Sequence, residues 1–510
     1  MKSTNIRLSQ MECASEQQPV DPAFDPSGQT PAEASWGTAR KVAFRFAFSY
    51  LILYLSPPFG WLWTPMLVVT YADSPWHKIA HWFAAHMLYL GDRYENFWHK
   101  IVPWVGVHLL HLSYPIVIFP SSDTTYDYVR SFCFVLIASL ITVAWSVLDR
   151  KRIAYSTLNQ WTRLYVRMAL AFAMLSFGGD KVIPLQMPPP SLSTLMQPLG
   201  DLTPYRLVWS FIGASAGYQI FCGVVEMLGG ILLLIPGTTM LGTLVSVAAM
   251  ANVLMLNVFY GIPVKFFALH LILFALFLLL PDVRRLVNVF ALNRGTKPDH
   301  SPLLFKRRWL NYSVWGAQWV LGIYFIVITL FGSKMYLDEI NNIPLTNPLY
   351  GIWSVDEFTL DGQSRPPLLT DDLRWQRMIF TSVKALTIQE MDGRLSPYAL
   401  SIDTQESTLW LKGIKTARTS SPWWSELYSH TPVTDDSSTA ASRLRGFTRL
   451  DYNRPQPNTM TLEGLTNGHR LRVTLKKEDR QFVLKTLGFR WINDEYDFFN
   501  EHADEINRVP

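Results

Sequence analysis

Cysteine is nearly missing from this chain: Cys13 in the leading segment, and Cys133 and Cys222 inside apolar runs, are all there is. With no CxxC pair and no even set at regular spacing, a disulfide framework, a thioredoxin-like site and a structural zinc are all excluded. Charge is scarce as well. Only 17% of residues are charged, where a soluble domain carries about a quarter. No HExxH, Walker sequence, GxSxG or strand-to-helix GxGxxG occurs. The histidines at 81, 86, 99, 108 and 111 supply no pair on two clear spans, so no haem site is expected. There is no internal repeat, which with so few intramembrane charges argues against a transporter built from inverted halves. The net charge of +5 lies in short loops beside apolar runs. That is the topology signal of membrane proteins and no nucleic-acid footprint.

What the chain has instead is apolar surface. Hydrophobic residues make up 49% and aromatics 14%, concentrated in runs between about residues 43 and 331. The last third has ordinary soluble composition. The expectation is a polytopic membrane protein, mostly α-helical, with a water-soluble C-terminal domain.

In chain order, residues 1–38 are polar and Pro-rich and are expected to be a disordered tail. The first apolar stretch starts about forty residues in and lacks a small-residue cleavage site, so no signal peptide is expected. Seven spans are read, near 42–63, 128–147, 164–178, 208–235, 240–260, 264–280 and 314–331. Between the first two lies an aromatic, patchily apolar region, 65–127, expected to be re-entrant or surface-lying. Its run 101–120, with Pro103, His108, His111 and Pro115, is placed outside the membrane. The domains that result are 39–160 (two spans and an interfacial region), 161–295 (a four-helix unit), 296–333 (a basic loop and the last span) and 334–510.

Loop charge sets the orientation. Arg150, Lys151, Arg152, Arg163 and Arg167 oppose Asp149, and Arg284 to Arg308 is strongly basic, whereas 64–127 is acidic. Positive loops stay inside, so the N-terminus is expected in the cytoplasm of a cell with this chain in its inner membrane. Seven spans then carry the C-terminal domain across. There, runs at 351–358, 375–380, 398–402, 408–411, 459–462, 469–475 and 482–487 are separated by Asp361-Gly362, Asp392-Gly393 and Asn467-Gly468 turns. That spacing predicts an antiparallel barrel or sandwich, with a long loop at 414–445.

A few polar side chains stand inside the spans. Glu226 is foremost: a carboxylate within Tyr218-Gln-Ile-Phe-Cys-Gly-Val-Val-Glu-Met-Leu-Gly-Gly, on the face of Tyr218, Cys222 and Gly230, must face protein rather than lipid. It either ties helices together or moves protons. Asn252 and Asn257 ordinarily read as interhelical glue. His270 sits about 9 Å inside its span; it is either a satisfied packing residue or a proton carrier. Lys181 and Lys265 stand at span ends, where lysines snorkel.

Arg167-Met-Ala-Leu-Ala-Phe-Ala-Met-Leu-Ser-Phe-Gly-Gly-Asp-Lys181 resembles the first helix of the DoxX-like family, and Gly223-Val-Val-Glu226 with Gly229-Gly230 resembles that family's Gly-x-x-Glu-Leu-x-Gly-Gly helix; the resemblance covers roughly 160–295. Asp123-Thr-Thr-Tyr-Asp127, Gln186-Met-Pro, Pro263-Val-Lys265 and Leu349-Tyr-Gly-Ile-Trp353 are similar to segments of large proteins of that family. Tyr260-Gly261 stands where those tend to show Tyr-Asp. The resemblance implies a four-helix membrane bundle, which in some members belongs to a quinone- or thiol-linked oxidoreductase system. Gly351-Ile-Trp353 also resembles the lipocalin Gly-x-Trp, without that family's paired cysteines.

Two functions are therefore expected. In one, the bundle holds a quinone, Glu226 or His270 transfers protons, and Tyr218, Lys181, Asn252 and Asn257 line the ligand site. That system needs a redox partner protein as electron source. In the other, the chain is a non-enzymatic envelope protein whose β domain binds a lipophilic small molecule or a partner.

Overall fold

The computed structural model describes residues 35–56, 77–118, 123–296, 305, 307–382, 384–413, 448–466 and 468–486. The expected tail, up to residue 34, and the expected loop at 414–445 lie outside them.

The helices are α1 (Thr38–Tyr54), α2 (His77–His108), α3 (Thr125–Leu148), α4 (Ser156–Val182), α5 (Pro204–Gly213), α6 (Ala216–Leu234), α7 (Thr239–Phe259), α8 (Lys265–Leu279) and α9 (Arg308–Thr346). Five stretches, Thr125–Leu148, Ala216–Leu234, Pro236–Phe259, Lys265–Ala291 and Trp309–Met335, are long and apolar enough to cross a bilayer. Two expected spans are not among them. α1 ends at Tyr54, with 17 residues, and residues 57–63 of the 42–63 stretch lie outside the described residues. α4 carries Arg163, Arg167, Asp180 and Lys181, which lower its apolarity.

Some boundaries differ from expectation, each for a local reason. The fourth span, read as continuous over 208–235, breaks at Ala214–Ser215, where the Ser215 hydroxyl accepts from the Tyr218 amide and caps α6. Pro204 at the first turn and a Thr203 cap start the separate α5. In the run at 101–120, placed outside the membrane in the sequence, residues 101–108 are the end of α2 and 109–118 are irregular; the last two lie outside the described residues. The last helix continues to Thr346, so the β domain begins near Asn347 instead of 334.

α4 is the centre of the bundle. It packs on α6, α6 on α7, α7 on α8, and α8 back on α4, while α9 also lies against α4. Small residues set the spacing. A Cβ on Gly223 would lie 2.6 Å from the Gly178 carbonyl oxygen, and one on Gly230 3.0 Å from that of Ala171. The two backbones therefore touch, as small-residue faces allow in membranes. Leu170, Met174, Leu175, Leu233, Phe274 and Phe325 fill the core.

The C-terminal domain is a closed antiparallel barrel of eight strands: β1 (Gly351–Leu360), β3 (Trp375–Phe380), β4 (Ala385–Glu390), β5 (Leu395–Asp403), β6 (Thr408–Gly413), β7 (Thr448–Gln456), β8 (Thr459–Thr466) and β9 (His469–Glu478). The two-residue β2 (Gln363–Ser364) folds back on β1 around Asp361 and Gly362, both at positive φ, as a tight hairpin requires. Strands pair in sequence order, and β9 closes on β1 from Ile352↔Glu478 to Leu360↔Leu471. The run expected as a strand at 482–487 is instead a helical turn, Val483–Thr486. Once β1 and β9 have paired, no edge remains for another strand.

Inward side chains form one apolar cluster around Trp353, whose indole donates to the Leu349 carbonyl at 2.8 Å. Arg454 and Lys477 lie over its ring at 5.5 and 5.9 Å. The barrel leans on the bundle's long loop: β3 meets the helical turn Leu192–Leu195, and Arg480 donates to the Met196 sulfur. Ile352 and Ile379, paired across β1 and β3 outside the main interior cluster, are both buried.

Candidate functional site

Two helices running side by side with glycines between them bring their polar groups into direct contact. Lys181 Nζ donates to Glu226 Oε2 at 2.7 Å, and both side chains are almost wholly shielded. One residue earlier, Asp180 accepts from Ser333 of α9 at 2.7 Å. Two turns before Glu226 on the same face, the buried Gln219 amide, turned so that both its ends find partners, donates to the Met187 carbonyl at 2.8 Å and accepts from the amide N–H groups of Gln186 and Met187. This polar clasp ties α4, α6 and the Pro-rich loop into one unit. A lone acid or lone lysine there would be an uncompensated charge in an apolar medium, so each makes the other tolerable.

His270 belongs to a different cluster. Its Nδ1 lies 2.7 Å from the Phe266 carbonyl, which can only accept, so Nδ1 carries the proton in the neutral ring. Nε2 is then the acceptor for the Tyr50 hydroxyl, 2.7 Å away. The Tyr54 ring stacks flat on the imidazole, centroids 3.8 Å apart and planes 3° apart. Phe266 and Phe274 complete an aromatic shell. His270 is buried, while Tyr50 is half-buried.

Just beyond this cluster, the two motifs Asp123-Thr-Thr-Tyr-Asp127 and Pro263-Val-Lys265 meet. The Asp123 carboxylate accepts from the backbone amides of Lys265 and Phe266 at 2.7 and 2.8 Å and lies 3.2 Å from Lys265 Nζ. It caps α8 from a distant part of the chain, where a carboxylate is favoured by the helix dipole. Thr124 and Asp127 form a capping box on α3 in the same place.

The remaining expected residues are dispersed. Asn257 is buried and donates to the Val264 carbonyl at 3.3 Å, closing the turn between α7 and α8. Tyr218 is exposed beside Phe211, although it shares a helical stripe with Glu226. Asn252 is exposed on α7 and has no partner among the described residues. The structure thus joins Lys181 to Glu226 and sets His270 apart from both. Tyr50, Tyr54 and Asp123 complete the second cluster. Tyr50 and Tyr54 gave no signal in sequence beyond their place in an apolar run.

At the opposite end of the bundle, Arg45 donates to Tyr155, Ser146 and the Asp149 carbonyl, and Tyr155 donates to the Asp149 carboxylate. A surface cleft of about 400 Å³ opens there between Trp145, Arg152, Tyr155 and Trp161. The innermost side chains of the barrel, among the described residues, are closely packed. Trp353, Met378, Phe380, Leu409, Met460 and Leu475 are wholly buried; a void of water size would leave its lining accessible. Among the described residues, no three His, Cys, Asp or Glu side chains converge on a point that would hold a metal ion.

Five helices long and apolar enough to cross a bilayer fit an integral membrane protein, and the C-terminal domain is an eight-stranded antiparallel barrel. The chain is similar to the uncharacterized protein YwoB of Bacillus subtilis (strain 168), 29% identical over 133 residues, which cover 24% of this chain and 79% of that protein. No family model matches the chain, and no solved structure matches it significantly.

Proposed function

We propose that this chain is the membrane component of a quinone-linked oxidoreductase system, with the Tyr50–His270 pair as its proton-exchanging group. The observation that supports this is the orientation of the imidazole: Phe266 fixes Nδ1, and Nε2 is left facing a half-buried tyrosine hydroxyl in an aromatic shell. A quinone needs a hydrogen-bond donor and a proton carrier beside an apolar slot. With the imidazole neutral the Tyr50 hydroxyl proton is held by Nε2; once His270 is protonated from the end that carries Asp123 and Lys265, Nε2–H donates to the Tyr50 oxygen and the hydroxyl proton is freed for a ligand arriving from the lipid. The bookkeeping closes with a dithiol partner: two thiols becoming a disulfide release the two electrons and two protons that turn a quinone into its quinol. Glu226 is taken out of this role, because its carboxylate is committed to Lys181.

In this reading α1 and α4 also cross, making seven spans. The N-terminus stays cytoplasmic in the inner membrane, and the barrel stands outside as the docking domain for the redox partner. Against the alternative, a barrel holding a lipophilic ligand in its interior, stand the wholly buried side chains at its centre, Trp353, Met378, Phe380, Leu409, Met460 and Leu475. The test is quinone reduction by dithiothreitol in proteoliposomes of the full chain. His270→Gln and Tyr50→Phe are each expected to slow the rate at least tenfold with folding intact. Equal rates in wild type and both variants would refute the assignment.

A further inference from the structure

α7 presents an anomaly that the proposed chemistry does not use. One face, Gly242, Ser246 and Met250, is buried against α6, where Gly229 approaches Ser246 and Gly242 approaches the Leu232–Leu233 backbone. The opposite face carries Leu241, Val245, Ala248, Asn252, Met255 and Phe259. Val245 is half-buried and the other five are exposed. Their spacing is four, three, four, three, four, which is the seam of a left-handed coiled coil. In the middle of that seam stands Asn252, a carboxamide about 10 Å from the end of the helix at Phe259. It has no hydrogen-bond partner among the described residues.

An amide facing hydrocarbon leaves two donors and an acceptor unsatisfied, and polar side chains at such depth find partners on neighbouring helices. We propose that the occupant is α7 of a second copy of this chain, in a two-fold dimer whose axis runs along the membrane normal. Copies inserted by the same route share one orientation, so their α7 helices lie parallel and residue 252 meets residue 252. A carboxamide is self-complementary, because each side offers the donor that the other accepts. A single asparagine at a seam position is also the device that fixes register and limits parallel coiled coils to pairs. Ala248, one turn away, keeps the backbones close enough for that contact. The dimer is isologous and closed. It needs only that α7 spans the bilayer and is independent of the quinone site.

The test uses the full-length protein in liposomes over a range of protein-to-lipid ratios, with subunits counted by single-molecule photobleaching. Wild type is expected to pass from one subunit per spot to two as density rises. Asn252→Leu, on an exposed face where folding is unaffected, should raise the midpoint density about tenfold, and Asn252→Gln should restore it in part. In a background lacking the native cysteines, Asn252→Cys and Met255→Cys should form oxidative cross-links, while Phe221→Cys on the exposed face of α6 should not. One subunit per spot at every density, pairing unchanged by Asn252→Leu, or cross-linking strongest at Phe221→Cys would each overturn the proposal.

Discussion

At the scale of single residues, burial and partner decide what a polar side chain inside the bundle does. Glu226 and Lys181 are 2.7 Å apart and shielded, so removing one leaves the other uncompensated, a loss of about 3–5 kcal/mol for buried pairs. Glu226→Gln and Lys181→Met should therefore lower the melting temperature in detergent strongly. The double replacement Lys181→Met with Glu226→Leu should recover most of the loss, since an apolar pair of like volume needs no partner. Equal melting temperatures for wild type and Glu226→Gln would show that the contact carries no weight. Glu226 and His270 could be singled out in the sequence because each interrupts an apolar run. Their partners could not. Lys181 lies 45 positions from Glu226 and Tyr50 lies 220 from His270, and periodicity within one helix does not say which face of which neighbour it will meet. Tyr218 shows the same limit: two steps of four turn about 80° around the helix, so Gln219 rather than Tyr218 shares the buried face of Glu226.

Among elements, the glycines of α4 and α6 set the geometry that makes the clasp possible. A Cβ at Gly223 would fall 2.6 Å from one backbone oxygen and 2.7 Å from a backbone nitrogen of α4, and backbone cannot swing aside. Gly223→Ala should therefore cost about 1–3 kcal/mol by overpacking. Gly217→Ala, with nothing within 4 Å, should be close to neutral; thermal unfolding of the two variants side by side checks this. The barrel has its own electrostatic latch in the segment between β2 and β3. Arg365 donates to both oxygens of Asp371 at 2.7 and 2.9 Å and holds its carboxyl below the usual range. A carboxyl depressed in the folded state stabilises above its unfolded value, about 3.9. That stabilisation disappears as the pH falls through the folded value. Thermal melts should accordingly show the barrel losing stability below about pH 4, with a shallower loss in Asp371→Asn. Most strands were readable from alternation and Asp-Gly or Asn-Gly turns. β4 and β7 were not, because β4 (Ala-Leu-Thr-Ile-Gln-Glu) is short and β7 carries Asp451, Asn453, Arg454 and Pro455, so pairing with their neighbours overrides weak local preference.

Across the whole molecule, the architecture depends on two helices that apolarity alone does not identify as spans. α4 falls short because its charges are satisfied within the bundle: Arg167 by Gln318 and Thr239, Asp180 by Ser333, Lys181 by Glu226. α1 is short: Arg45 in its middle meets the Asp149 carbonyl just past the end of α3, and Tyr50, about one and a half turns further on, meets His270 in the first half of α8. If α1 and α4 cross with the five apolar helices, the number of crossings is odd, and the barrel lies on the side opposite the N-terminus. The sequence carried this division in its composition, but not the contact between the barrel and the Leu192–Leu195 turn, which joins segments nearly two hundred residues apart. Protease protection in sealed, right-side-out vesicles, with one tag before α1 and another after the barrel, tests the arrangement most directly. The account predicts that the C-terminal tag is removed while the N-terminal tag survives until detergent is added; loss of both, or protection of both, would contradict it.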